Sequence, residues 1–158
     1  MVAVPKLDFS AHTFVIVDDE SAILNLIAAL VTSAGAKKVH KCKSAQEAQN
    51  VLTDPNVKVD CIISDHQMEP VTGLELLQKI RVGTNLGVSR NLRFLMLTGF
   101  GEEEVVKSAL ALDVDGYIIK PVSQGALIAS IEKAFVRKRM LKGASDYAAV
   151  PVFSSPEP

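Results

Sequence analysis

Short apolar, strand-like runs alternate with helical patterns along most of this chain. Four runs, at residues 14–17, 61–64, 94–97 and 117–119, consist almost entirely of apolar residues. Such runs are typical of strands that helices cover on both faces. The alternation therefore predicts βα units arranged around a parallel sheet.

The full pattern predicts five strands and five helices. The strands are expected at residues 13–17, 38–42, 61–64, 93–97 and 116–119. Helices are expected at residues 21–34, 44–52 and 123–140, with two more after the third and fourth strands. This order predicts the flavodoxin-like (βα)5 fold of the α/β class, a doubly wound parallel sheet with strand order 2-1-3-4-5.

A chain of 158 residues with 48% apolar residues is long enough for one sizeable core. We expect an N-terminal extension at residues 1–10, one domain at 11–141 and a disordered tail at 142–158, which is rich in Pro, Ser and Ala. The short tail favours a domain that acts alone. A piece of a longer protein, with the tail as a linker, remains the alternative.

Charge and hydropathy exclude several classes of partner. Lys+Arg 17 against Asp+Glu 18 argues against direct nucleic-acid binding. A basic group near the end of the last helix fits the helix dipole instead: Arg137, Lys138, Arg139 and Lys142. No run approaches the roughly 18 apolar residues of a membrane span, and no signal peptide precedes the first strand. A cytoplasmic protein without membrane contact is expected, with Cys42 and Cys61 as reduced, buried thiols.

Polar residues stand directly after four of the predicted strands, as Asp18 with Asp19, Asp65, Thr98 and Lys120. The carboxyl ends of parallel strands share one edge of the sheet, so these residues are expected to converge there. Clustered carboxylates need a cation, and oxygen ligands suit Mg²⁺. Asp65 is the best candidate for a nucleophile toward phosphorus, because the acidic pair flanks it on one side and the hydroxyl and amine on the other.

These residues resemble the receiver domain of two-component response regulators over residues 9–140. The matching segments are Asp18-Asp19, Asp65-His66-Gln67-Met68 with Gly73 beyond it, Thr98-Gly99, and Lys120-Pro121 preceded by Tyr117. The resemblance implies that Asp65 accepts a phosphoryl group from a sensor histidine kinase or a phosphotransferase. It also implies Mg²⁺ held by Asp19, Asp65 and the backbone carbonyl of Gln67, with Asp18 acting through water and Lys120 pairing with the phosphoryl group.

The resemblance further implies a conformational switch. Thr98 would move toward the phosphoryl group and Tyr117 would swing inward, which changes the face made by helix 4, strand 5 and helix 5. An unidentified downstream protein would bind that face, and a homodimer through it is left open. Gln67 and Phe100 occupy the positions that tune the lifetime of the phosphoryl bond, and a cis peptide is expected before Pro121.

Three further positions, Glu69, Asp113 and His66, each lead to a prediction of their own. Glu69 stands where the family usually has Pro, and Pro70 follows it, which predicts a changed loop and an extra carboxylate near the metal. Asp113 replaces a frequent Gly, and Asp tolerates left-handed backbone angles better than most residues. His66 is expected to face solvent above the site, since no second clustered His completes a metal set.

The resemblance implies a receiver that is not an enzyme and that carries out only self-phosphorylation and slow self-dephosphorylation. Two alternatives to it use the same residues. One is a metal-dependent phosphohydrolase with Asp65 as nucleophile. Enzymes of that type resemble a pattern with a second Asp two residues later as general acid, and Gln67 stands there instead. The other is a phosphorylation-independent interaction module of the same fold, for which Glu69 is the one sequence hint.

Overall fold

The computed structural model describes residues 6–83, 87–99 and 102–152. It contains a parallel sheet with the order β2-β1-β3-β4-β5. The strands are β1 (Thr13–Val17), β2 (Lys38–Cys42), β3 (Cys61–Asp65), β4 (Arg93–Thr98) and β5 (Gly116–Ile119). The predicted fold class and strand order are confirmed.

Helices connect the strands, and polar caps fix where several of them begin. They are α1 (Ser21–Ser33), α2 (Ala45–Thr53), α3 (Gly73–Val82), α4 (Glu103–Ala111), α5 (Gln124–Val136) and α6 (Ala144–Ala148), after a 3-10 turn at Phe9–Ala11. Ser44 and Ser123 each accept a hydrogen bond from a backbone N–H in the first turn of the helix that follows. Thr72 and Glu75 form a reciprocal capping box at α3.

The helices lie on both faces of the sheet because strand side chains alternate between the two faces. Val15 and Ile62 belong to one buried cluster with residues of α2, α3 and α4. Phe14 and Ile63 belong to a second cluster with residues of α1 and α5. The doubly wound arrangement leaves the carboxyl ends of the strands open at one edge.

Helix α5 ends at Val136, four residues before the predicted end. The chain leaves the helix so that Arg137 donates to the carbonyl of Val114 and Arg139 donates to both carboxylate oxygens of Asp115. Asp115 is only 7% exposed, and a buried carboxylate requires such partners. Two of the four basic residues near this helix end are therefore used inside the fold.

The structure differs from the predicted disordered tail between residues 142 and 152. Tyr147 of α6 is fully buried in the cluster that contains α3, and its hydroxyl donates to Asp113 Oδ2 at 2.7 Å. The Gln78 amide donates to the carbonyls of Tyr147 and Val150. The composition of the tail does not predict this contact, because a single tyrosine supplies both the large apolar surface and the polar group. Residues 153–158 lie outside the described residues.

The predicted N-terminal extension is also partly packed. Phe9 is 7% exposed and its ring stacks on Phe14 at 5.9 Å between centroids. Cys42 and Cys61 are buried free thiols, as expected. Among the described residues, no helix combines the length and the apolar character that a membrane crossing requires.

Candidate functional site

The carboxyl edge of the sheet brings Asp18, Asp65 and Lys120 into direct contact. Val17 pairs with Ser64 in the register of β1 and β3, so the aspartates that follow these two residues are neighbours. The Lys120 ammonium lies 3.2 Å from Asp65 Oδ1 and 3.3 Å from Asp18 Oδ2. One cation thus faces two carboxylates that are almost completely buried.

The charges at this edge are only partly balanced. Burial, and next the charge of Asp18, raise the pKa of Asp65 to about 6 despite the opposing effect of Lys120. Burial alone would lower the pKa of Lys120, but Asp65 and Asp18 outweigh it and raise that pKa. The site therefore retains an excess of negative charge that favours a further cation.

Asp18, Asp19 and Asp65 form a group of potential metal ligands. One carboxylate oxygen from each lies within 4.8 Å of the others. Asp18 is fully buried and its Oδ1 accepts a hydrogen bond from Glu20 N, whereas Asp19 is exposed. A set of oxygen atoms alone fits a hard cation such as Mg²⁺. In the described part of the chain, Glu69 does not belong to this group.

A tight loop after β3 fixes the backbone around Asp65. The His66 carbonyl accepts hydrogen bonds from Met68 N and Gly73 N, each at 3.0 Å. A Cβ on Gly73 would clash with the Asp65 carbonyl oxygen, so this close approach requires glycine. The Glu69-Pro70 and Lys120-Pro121 bonds are both cis, which confirms the expectation for the second.

The prediction that His66 faces solvent is wrong. The residue is 2% exposed because the loop folds back through the two hydrogen bonds to its carbonyl. Burial lowers the pKa of His66, so the imidazole is neutral at neutral pH. Asp113, in contrast, has the expected left-handed backbone, with φ of 54°.

Thr98 and Tyr117 line one surface cavity of about 250 Å³ next to this edge. The Thr98 hydroxyl is buried and has no hydrogen-bond partner within the described ranges. Tyr117 is 42% exposed, so its ring does not fill the space beside Thr98. Phe100, the second predicted lifetime-tuning position, lies outside the described residues, while Gln67 is exposed next to the site.

Sequence reasoning missed Glu102 as a residue of this edge, because three consecutive glutamates at the start of a helix fit the helix dipole alone. Its carboxylate instead accepts a hydrogen bond from Gly99 N at 3.0 Å and one from the Gln67 side chain at 3.3 Å. The signal that could have revealed it is the glycine three residues earlier, which leaves room for a side chain.

Comparison with known proteins identifies one family over most of the chain. Residues 14–132 match the family model of the response regulator receiver domain. The chemotaxis protein CheY of Pseudomonas aeruginosa is 30% identical over 122 residues, which cover 77% of this chain and 94% of that protein. A crystal structure of a response regulator receiver domain protein from Clostridium thermocellum is 27% identical, with a TM-score of 0.69 over 78% of this chain and 93% of that one.

Some relatives are much longer than the matched region. The uncharacterized transcriptional regulatory protein YesN of Bacillus subtilis is 31% identical over 124 residues, which are 77% of this chain but 32% of that protein. The chain thus spans about a third of the length of this relative.

Proposed function

The chain belongs to the family of response regulator receiver domains, and we propose that it is a phosphoacceptor that takes a phosphoryl group on Asp65 and thereby changes its binding to another protein. The observation that carries the proposal is the contact of Lys120 with both Asp65 and Asp18. An amine placed beside a buried carboxylate can offset charge on a phosphoryl group held at the same point.

The transfer itself is a displacement at phosphorus. An oxygen of Asp65 forms the new O–P bond while the P–N bond to a phosphohistidine breaks, and the imidazole leaves with the electron pair. Lys120 would pair with the phosphoryl oxygens. The Thr98 hydroxyl, buried without a partner among the described residues, is available to donate a hydrogen bond to one of them.

Magnesium fits the carboxylates that the chain offers. Asp19, Asp65 and the backbone carbonyl of Gln67 would hold the ion, with Asp18 acting through water. Bound Mg²⁺ supplies positive charge against the three aspartates and the phosphoryl oxygens. Burial, and next the charge of Asp18, raise the pKa of Asp65, so a bound cation would stabilise its charged form.

The output is proposed to be a change of surface. Thr98 and Tyr117 share a cavity with Ile119 and Val106, so a Thr98 hydroxyl drawn toward the phosphoryl group leaves space that the exposed Tyr117 ring can enter. Such a movement would alter the face of α4, β5 and α5, which we propose as the binding surface for the downstream protein. The phosphoryl donor is proposed to be a sensor histidine kinase or a phosphotransferase, the partners typical of the family.

The phosphohydrolase alternative gains no support from the site. A general acid for the leaving group would have to stand two residues after Asp65, where Gln67 carries an amide. That amide donates to Glu102 and has no proton to give to a leaving group.

The test is phosphorylation by acetyl phosphate with Mg²⁺, followed by intact mass measurement of the native chain and Asp65→Asn. One phosphoryl adduct that is lost in the variant, and lost without Mg²⁺, is expected. Glu104→Gln serves as a matched control because its exposed carboxylate lies outside the site. An unmodified native chain that stays folded would instead favour the phosphorylation-independent interaction module.

A further inference from the structure

The Glu102 carboxylate bridges two segments that border the acceptor edge. Its Oε1 accepts a hydrogen bond from Gly99 N at 3.0 Å and another from Gln67 Nε2 at 3.3 Å. Gln67 follows Asp65 by two residues, and Gly99 directly follows Thr98 at the end of β4. We call the contact of Glu102 with Gly99 and Gln67 the Glu102 bridge.

The local structure is built for this contact. Glu102 immediately precedes α4, at a position where a side chain commonly caps the helix, yet it makes no such hydrogen bond. Its carboxylate reaches back toward β4 instead. A Cβ on Gly99 would lie 2.7 Å from Glu102 Oε1, so a larger residue there would push the carboxylate aside. Glu102 Oε2 is buried and accepts no hydrogen bond from the described residues.

The bridge places a negative charge on the backbone N–H that directly follows Thr98. β4 lies beside β3, which carries Asp65 at its end, and the Gly99 N–H is the backbone donor next to the Thr98 hydroxyl. The Glu102 carboxylate accepts the hydrogen bond of that N–H. A phosphoryl group on Asp65 would bring further negative charge to the same edge of the sheet, and like charges repel.

We propose that Glu102 is a positioning residue that opposes phosphorylation: its carboxylate occupies the Gly99 N–H and holds the Gln67 side chain while Asp65 is unmodified, and it leaves both when Asp65 is phosphorylated. This inference rests on the proposed phosphoacceptor function. Because Glu102 directly precedes α4, its release would also free the first turn of the helix that borders the Thr98 and Tyr117 cavity. The bridge thus couples the acceptor to the proposed output face through one carboxylate.

Glu102→Gln tests the charge while it retains an oxygen that can accept from Gly99 N. The probe is beryllofluoride, a non-covalent phosphoryl mimic, titrated in the presence of Mg²⁺ and followed by the backbone amide signals of Thr98 and Gly99 in NMR spectra. We expect about 10-fold tighter binding to the variant, because removing one nearby like charge at the effective dielectric of a protein surface has an effect of this order. Glu104→Gln removes the same charge from an exposed position in the first turn of α4 and is expected to bind as the native chain does.

A second variant displaces the bridge without removing any charged residue. Gly99→Ala places a methyl group against Glu102 Oε1 and should also tighten binding. The double variant Gly99→Ala with Glu102→Gln should bind no more tightly than Glu102→Gln alone, since both changes remove the same contact. A purely structural role would change thermal stability and leave these affinities equal.

The outcomes separate this inference from the function on which it rests. Binding of beryllofluoride to the native chain with equal or weaker binding to Glu102→Gln would overturn the bridge and leave the phosphoacceptor role standing. A folded native chain that binds no beryllofluoride and gains no adduct from acetyl phosphate would overturn both.

Discussion

The ammonium nitrogen of Lys120 lies 3.2 Å from Oδ1 of Asp65, although the two residues stand at the ends of strands that are not neighbours. β4 separates β3 from β5, so the lysine side chain reaches across the end of an intervening strand. It meets Asp18 on the far side of Asp65 at 3.3 Å. The lysine is therefore the charge that holds the acidic edge together before any metal ion binds.

Replacing Lys120 is expected to change Mg²⁺ binding and phosphorylation in opposite directions. Lys120→Met should bind Mg²⁺ more tightly, by roughly 3- to 10-fold, because a competing positive charge next to the ligands is removed. Its phosphorylation by acetyl phosphate should nevertheless fall strongly. Isothermal titration and intact mass measurement check the two effects. Lys107→Met removes the same charge from an exposed site on α4 and should change neither. Weaker Mg²⁺ binding to Lys120→Met would contradict this view of the site.

Asp65→Asn is expected to stabilise the metal-free fold near neutral pH. The folded pKa of Asp65 is raised to about 6, above the unfolded value, so the charged carboxylate lowers the free energy of unfolding above that pH. The penalty falls as the pH drops from about 6 toward 4, because the folded state binds the proton first. We expect Asp65→Asn to gain about 2 kcal/mol at a pH of about 7 and much less at about 4.

Urea unfolding at several pH values, in the presence of a chelator, measures this gain. Addition of Mg²⁺ should stabilise the native chain and affect the variant little. A variant that is less stable than the native chain at both pH values would contradict the raised pKa.

The parts of the fold that the sequence predicts well are those where local pattern and tertiary structure agree. The strand Thr13–Val17 is apolar except for Thr13 and is found at the predicted bounds, and Ser44 starts its helix where the cap pattern places it. The polar residues at the strand ends could be placed at one edge because parallel strands share that edge. Their contacts follow from topology rather than from distant side-chain packing.

The parts that the sequence does not predict depend on long-range contacts. Arg139 leaves α5 to reach the buried Asp115, Tyr147 docks from a tail of disorder-like composition, and Glu102 accepts a hydrogen bond from Gln67. No periodic pattern in the sequence indicates any of these contacts. Each depends on a partner that lies beyond the local segment, which composition and spacing do not encode.

The two tyrosines offer a test of whether the C-terminal segment is part of the fold. Tyr147 is fully buried and Tyr117 is 42% exposed. Tyr147→Ala should lower the free energy of unfolding by about 3 kcal/mol, as expected for a large core side chain, and Tyr147→Phe by about 1 kcal/mol for the lost hydrogen bond. Tyr117→Ala should change it by less than about 1 kcal/mol. Equal effects of the two alanine variants in urea unfolding would show that α6 is not docked.

The two cysteines should be inert in the folded protein. Both are buried, and burial, with a smaller contribution from Glu47, raises the pKa of Cys42 to about 11, while burial raises the pKa of Cys61 further. Neither should react with a thiol reagent at a pH of about 8, and both should react after unfolding in urea. Ser145→Cys provides an exposed thiol as a positive control. Rapid reaction of one thiol in the folded native chain would contradict the packing of its strand.

The most direct measurement locates the phosphoryl group by reductive trapping. Borohydride converts an aspartyl phosphate to homoserine, which peptide mass spectrometry identifies by position. After incubation with acetyl phosphate and Mg²⁺, we predict homoserine at residue 65 and unmodified aspartate at 18 and 19. Homoserine at another position, or a native chain that stays unmodified while folded, would contradict the assignment of Asp65 as the phosphoacceptor.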